Sequence, residues 1–196
     1  EDAMVQRDLL LVEEFGGRYH VQHLSTARSL ALVREAKARG LPVTCEVTPH
    51  HLLLTDEEGA RSGYSTNPKK NPPLRTERPE SPHAATRLAA GCSRARPQFD
   101  EKDVQFSAAP FGIVGLETTL SLCLDRLVHA GLLGLDRLVA LLTTEPARVM
   151  GLPGGTLAPG SPADVTLMDL DLDVTVEAAS FRSKSSNTPF EGWFGT

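Results

Sequence analysis

The sequence predicts an α/β protein built on parallel strands. Three observations predict it. A strand–helix–strand unit runs from Tyr19 to Val47, and such a unit pairs its strands in parallel through a right-handed crossover. Two further helix-periodic stretches follow at Gly115–Ala130 and Asp136–Met150. Polar groups cluster just beyond the strands, at His20–His23 and Thr48–His51, the end at which parallel α/β folds carry their sites.

The elements follow in order. Val5, Leu9, Val12 and Phe15 recur at helical spacing, and Gly16-Gly17 ends that helix. Tyr19 to Leu24 alternates as a strand. Ser25-Thr26 supplies hydroxyl caps for a helix through Leu30, Val33 and Ala36 to Gly40. Leu41 to Val47 is the next strand. Thr66 to Arg75 is a loop, because Asn67-Pro68 and Asn71-Pro72-Pro73 remove backbone donors. Residues 79–98 show no clean period, and neither a helix nor a strand is predicted there. Gly115–Ala130 presents Leu116, Leu120, Cys123 and Leu127 on one side. Asp136–Met150 is a third helix, ended by Gly151. After a Gly/Pro-rich turn region, Ala163–Asp169 alternates as a strand and Val174–Val176 as another.

Composition narrows the function classes. The 196 residues are 40% hydrophobic and 23% charged, the balance of an ordinary globular chain. A net charge of −5 excludes an electrostatic nucleic-acid footprint. No apolar run approaches the roughly 20 residues that span a bilayer, so no membrane partner is expected. Cys45, Cys92 and Cys123 are few and far apart, which argues against a disulfide framework and for a reducing cytoplasm. The chain opens inside a helix-forming stretch without an initiator Met, and Phe190–Thr196 stops without a cap; both ends are expected to be cuts in a longer protein.

Four motifs carry possible chemistry. His20-x-x-His23 closes a strand before a helix. A neutral imidazole there is either a zinc ligand or a histidine packed at a strand end. An odd separation on a regular strand sends the two rings to opposite faces. Thr48-Pro49-His50-His51 also follows a strand; on extended backbone its adjacent rings diverge, which favours loop shaping over joint metal binding. Asn71-Pro72-Pro73-Leu74-Arg75 offers an amide with donors and an acceptor, suited to a cyclic amide and equally to a plain turn. Ala109–Gly115 holds two glycines that leave backbone groups open to a ligand, or simply leads into a helix. Glu117 suits a helix dipole.

Taken together the segments resemble a family. His20–Thr26, Glu46–Leu54, Asn71–Arg75, Ala109–Thr118, Gly155–Leu157, Ala163–Leu167 and Asn187–Phe190 are similar, in order, to blocks of bacterial dihydroorotases of the long type. The match covers nearly the whole chain outside residues 79–98. It implies the C-terminal part of an amidohydrolase (β/α)8 TIM barrel over residues 1–152. Residues 153–186 would belong to a small β-rich composite domain, and 187–196 would return toward the barrel. It implies zinc as cofactor and His23 as a metal ligand, with Asn71, Phe111 and Gly112 on the substrate. It does not make His50 or His51 a ligand. The implied reaction is reversible cyclisation of N-carbamoyl-L-aspartate to dihydroorotate in pyrimidine synthesis, in the cytoplasm. Implied associations are with aspartate transcarbamoylase or a second copy of the chain.

Two departures stand against the family pattern. The His-x-His pair, the bridging ligand and the other single histidine are not in the sequence. Where the family carries Asp-His-Ala-Pro-His, this chain has Arg94-Ala95-Arg96-Pro97-Gln98. Arg94 stands for the aspartate that binds metal and moves the proton, and Gln98 stands for a substrate histidine. Arginine stays protonated above pH 12 and cannot be that base, so this chain by itself is expected to have no catalytic residue and no turnover. The block fails and recovers abruptly, the pattern of a locally shifted reading frame or a sequence error. The alternatives to a dihydroorotase are a non-catalytic dihydroorotase-like subunit scaffolding aspartate transcarbamoylase and a sister cyclic amidase such as allantoinase or hydantoinase.

Overall fold

A computed structural model of the chain describes residues 1–76 and 102–195, together with the backbone of 89–90. Its first half is an α/β layer. Helix α1 (Asp2–Phe15) buries Val5 and Leu9, one turn apart, and ends where the Gly16 N–H meets the Val12 carbonyl. Strand β1 (Tyr19–Val21) follows, then helix α2 (Ala27–Ala38), then strand β2 (Val43–Val47). The Thr26 hydroxyl caps α2 by accepting from the Ser29 N–H at 3.2 Å, as its place before an apolar-periodic run requires.

β1 and β2 run parallel, with Tyr19 opposite Val43 and Val21 opposite Cys45. A two-residue strand β3 (Ala89–Ala90) joins the far edge of β2, also in parallel. Residues 79–98 therefore do supply a strand, against the sequence expectation. Two alanines are too short a segment for period-two alternation to register. The remainder of that stretch, with Arg94 and Gln98, lies outside the described residues.

Alternation along β2 sorts the two faces of the sheet. Val43, Cys45 and Val47 are buried with Val21, Leu30, Val33 and Ala36 in the main core against the helices. Thr44 and Glu46 point to the opposite face, where His20 also lies. That second face is polar, so it cannot add to the apolar core and is left for chemistry.

After β2 come two short helices, α3 (Pro49–Leu53) and α4 (Glu57–Arg61). Helix α5 (Thr119–Cys123) runs on as a π-helical turn, Leu124–His129. It starts later than the predicted Gly115, because residues 115–118 form a turn in which the Gly115 carbonyl accepts from the Thr118 N–H at 3.3 Å. The predicted helix Asp136–Met150 is two helices, α6 (Leu135–Leu142) and α7 (Thr144–Met150). Pro146 is the reason: it has no N–H, and its ring collides with the carbonyl four residues back, at Leu142.

Strand β4 (Val174–Thr175) pairs antiparallel with β5 (Phe194–Gly195), and a 3-10 turn at Ala178–Ser180 separates them. The predicted strand Ala163–Asp169 is not formed. Leu167 there is 93% exposed and Val165 60%, and no described strand pairs with the segment. Alternation makes a strand only when a neighbour takes its backbone groups. Among the described residues no helix is long and apolar enough to cross a membrane.

Candidate functional site

His23 lies two residues past β1, at the C-terminal end of the parallel strands. Its φ is 54°, in the left-handed region, where a non-glycine residue is uncommon and draws a functional reading. The Leu24 N–H donates to the Glu46 carbonyl at 3.0 Å, so the turn is tied to β2. This turn also overturns the expectation that His20 and His23 face opposite sides. Strict alternation ends at Val21, and both rings reach the same carboxylate. Glu46 Oε1 is 3.2 Å from His23 Nδ1, and Glu46 Oε2 is 3.5 Å from His20 Nε2. The other His20 nitrogen is 2.7 Å from the Thr44 hydroxyl.

Burial tends to raise the Glu46 carboxyl, but the close contacts and charge of His23 and His20 outweigh it, so the group sits below the usual carboxylate range. His23 Nδ1 is buried and stands at ion-pair distance from Glu46 without the alignment of a full hydrogen bond. The structure thus turns Nδ1 inward toward Glu46. A carboxylate behind one ring nitrogen is the usual support for a histidine whose other nitrogen serves as a ligand.

The two adjacent histidines are not on extended backbone. Thr48 caps α3, and Pro49 opens it at a position where a missing N–H costs nothing. Helical backbone therefore brings the His50 and His51 rings to 4.5 Å rather than apart. Burial, then the nearby charges of His51 and Lys70, hold His50 well below its ordinary pKa. His51 bridges two segments: Nδ1 is 2.7 Å from the Thr48 hydroxyl, and Nε2 is 2.9 Å from the Pro72 carbonyl. Asn71, the residue before that proline, is exposed.

The loop Asn71–Arg75 is held at its far end too. The Arg75 carbonyl accepts from the Asp56 N–H at 3.1 Å, and Arg75 Nε donates to the Ser25 hydroxyl at 3.2 Å. Ser25 also binds the carboxylate of Glu1, which accepts from the Ser25 and Thr26 N–H groups as well.

Phe111 is half exposed, with Lys69 Nζ 5.0 Å from its ring centre. Gly112 is buried, with φ 118°. Its backbone groups are not left open: the N–H donates to the Lys69 carbonyl at 3.2 Å, and the carbonyl accepts from Asn187 Nδ2 at 3.0 Å. The Asn187 carbonyl accepts from the Val114 N–H at 3.1 Å, so Asn187 stitches the C-terminal segment to the glycine loop. Glu117 precedes α5 and accepts instead from the Arg182 and Ser183 N–H groups at 2.8 and 3.0 Å. Sequence reasoning missed the roles of Glu46, His51 and Asn187; the available signal was a polar residue inside or against an otherwise apolar run.

A model of the Amidohydrolase family matches residues 9–194. The chain belongs to the amidohydrolase family. It is 53% identical over 197 residues to the dihydroorotase of Anaeromyxobacter dehalogenans and 50% identical over 200 residues to that of Pelotomaculum thermopropionicum. These alignments take in 98% of this chain but 45% and 46% of those proteins. The chain spans about half the length of the curated relatives it matches. Among solved structures, the L-hydantoinase of Arthrobacter aurescens matches with a TM-score of 0.85 at 31% identity, over 100% of this chain and 45% of that one. The D-hydantoinase of a Thermus species matches with a TM-score of 0.88 at 26% identity, over 99% and 45%. The fold is thus part of an amidohydrolase barrel, as the sequence resemblance implied.

Within this amidohydrolase segment the predicted site residues fall into two groups. His23 and the Asn71 loop are linked through Ser25 and Arg75. Phe111 and Gly112 are linked to the same loop through Lys69. A cavity of about 610 Å3 opens at the other end of the strands, among Arg18, Tyr19, His20, Pro42, Val43 and Arg148; His20 lines it, whereas His23, Asn71, Phe111 and Gly112 do not. Among the described residues no group of three His, Cys, Asp or Glu side chains gathers to hold a metal ion. With Nδ1 of His23 turned to Glu46, its Nε2 fits a single ligand position, and the described donor set does not fit a complete zinc site.

Proposed function

We propose that this chain is a segment of a dihydroorotase, a cyclic amide hydrolase that interconverts N-carbamoyl-L-aspartate and dihydroorotate. The observation that carries the reading is the placement of His23. It sits at the C-terminal end of parallel strands, on their polar face, in a left-handed turn with Glu46 behind its ring. Barrel enzymes carry their chemistry at that end. In this reading His23 is one zinc ligand, Asn71 meets the amide groups of the ring, and Phe111 and Gly112 border it. The small-molecule substrate, the zinc, the cytoplasmic location and the division at residues 152 and 186 all belong to this proposal.

The described residues do not complete a zinc site. What this chain's residues do is hold and orient. Glu46 turns the His23 ring, and the pinned loop presents the Asn71 amide. Arg94 stands where the family's proton-moving aspartate would be, and a guanidinium takes up no proton at neutral pH. In this reading position 94 supplies no base, and the described residues gather no metal cluster.

Dihydroorotase is preferred to a hydantoinase or allantoinase because the curated dihydroorotase relatives reach 53% identity, against 31% for the L-hydantoinase structure. The second reading, a non-catalytic subunit that scaffolds aspartate transcarbamoylase, is favoured by one observation, the cationic residue at position 94.

The test is ring closure of N-carbamoyl-L-aspartate with added zinc. The bare chain should be inactive and hold substoichiometric zinc. A chimera should turn over if it joins the chain to the part of the A. dehalogenans dihydroorotase that it does not span and carries Arg94→Asp, Ala95→His, Arg96→Ala and Gln98→His. Adding His23→Ala should abolish that activity. Turnover by the bare chain near the chimera's rate would refute the reading, and a chimera that folds, binds zinc and stays inert would favour the scaffold.

A further inference from the structure

We propose that His51 is a positioning residue for Asn71, acting as a neutral imidazole that carries its proton on Nε2. That Asn71 binds dihydroorotate rests on the dihydroorotase reading above; its positioning by His51 does not.

The chemistry of the two contacts decides the tautomer. The Pro72 carbonyl, 2.9 Å from Nε2, only accepts, so Nε2 must donate. Burial lowers the ring's basicity, with His23 and Lys70 adding repulsion, and these outweigh the Pro72 carbonyl and Glu1, which favour the cation. A neutral ring with Nε2–H has a lone pair on Nδ1, and the Thr48 hydroxyl, 2.7 Å away, donates to it. Thr48 is 1% exposed and His51 7%. Both ring nitrogens are thus used, and the imidazole is a rigid strut between the end of β2 and the loop.

The loop bond falls beside the functional residue. Pro72 directly follows Asn71, and proline has no N–H with which to anchor itself. Other ties of the described segment are at Lys69 and Arg75, two and four residues from Asn71, and at Lys70, whose Nζ reaches only the Asn67 carbonyl within the same loop. The strut is the tie that sets where the exposed Asn71 amide stands. A histidine present only to fill space would not need a carbonyl acceptor on one side and a hydroxyl donor on the other.

The test follows the Asn71 side-chain NH2 signals by NMR in the 196-residue chain, with dihydroorotate titrated in. His51→Phe keeps the ring and removes the donor; His51→Gln restores a donor at similar reach. In His51→Phe the Asn71 signals should move toward those of a free asparagine while amide protection in Val43–Val47 persists. Dihydroorotate affinity should fall ~5-fold, the equivalent of one ordinary hydrogen bond. His51→Gln should recover both. Unchanged Asn71 signals in His51→Phe would overturn the proposal, as would a folded His51→Gln in which Asn71 is released. If His51→Phe does not fold, His51→Gln decides alone, with wild-type Asn71 signals counting in favour. If Asn71 responds to His51 but the wild type binds no dihydroorotate, the strut stands and the dihydroorotase reading of the loop falls.

Discussion

Glu46 Oε1 lies 3.2 Å from His23 Nδ1, across the ends of two neighbouring parallel strands. The same residue's backbone carbonyl accepts from the Leu24 N–H. One residue of β2 therefore holds both the turn and the ring of the candidate ligand. The carboxylate has its folded-state pKa lowered, so the unfolded chain binds more protons as the pH falls below about 4.5. Its stabilisation is fully present above that value and is lost as pH falls through the lowered folded pKa. Glu46→Gln should cost about 1–3 kcal/mol at pH 7 and flatten the acid limb of stability. Thermal unfolding by circular dichroism between pH 3 and 7 measures both, and an unchanged acid limb would refute the pairing.

Thr26→Ala should destabilise α2 by about 1–2 kcal/mol. The hydroxyl caps Ser29 and also meets the carboxylates of Glu1 and Asp2. Urea unfolding at pH 7 reads the loss, and Thr26→Ser should recover most of it.

Lys70→Met should raise stability at pH 7 by about 1 kcal/mol. Lys70 is 4% exposed, and burial first, then Lys102, holds its pKa well below 10.5. Below 10.5 and above the folded value the unfolded chain binds the extra proton, so wild-type stability should climb with pH in that window. The substitution gives up one hydrogen bond, Lys70 Nζ to the Asn67 carbonyl at 2.8 Å. A variant that melts lower and still shows the alkaline climb would contradict this account.

Asn187→Asp should destabilise more than Asn187→Ser at neutral pH. Asn187 is 1% exposed, and its amide donates to the Gly112 carbonyl. An ionised carboxylate has no proton to donate there and faces that carbonyl's negative end. A cost of about 1–3 kcal/mol is expected for the unmet pair, with partial recovery on acidification as the carboxyl regains a proton. Equal urea midpoints for the two variants across pH 4–8 would show that the bond carries no weight.

Much of this protein was determined by the sequence alone. The order α1–β1–α2–β2 follows from spacing of apolar residues, from the Thr26 cap and from the glycines at 16 and 40, all local signals that the backbone obeys within a turn or two. The family followed from blocks kept in order along the chain. The tertiary structure decided the rest. Whether Ala163–Asp169 became a strand depended on a pairing neighbour, which its alternation cannot supply. Whether His20 and His23 shared a partner depended on the left-handed turn at His23 and on Glu46, one strand away. Whether the Gly112 backbone was open depended on Asn187, 75 residues further on. Local periodicity reports which face a residue takes, but a site is made where separate segments meet, and only the packed chain sets which groups stand within hydrogen-bond reach of one another.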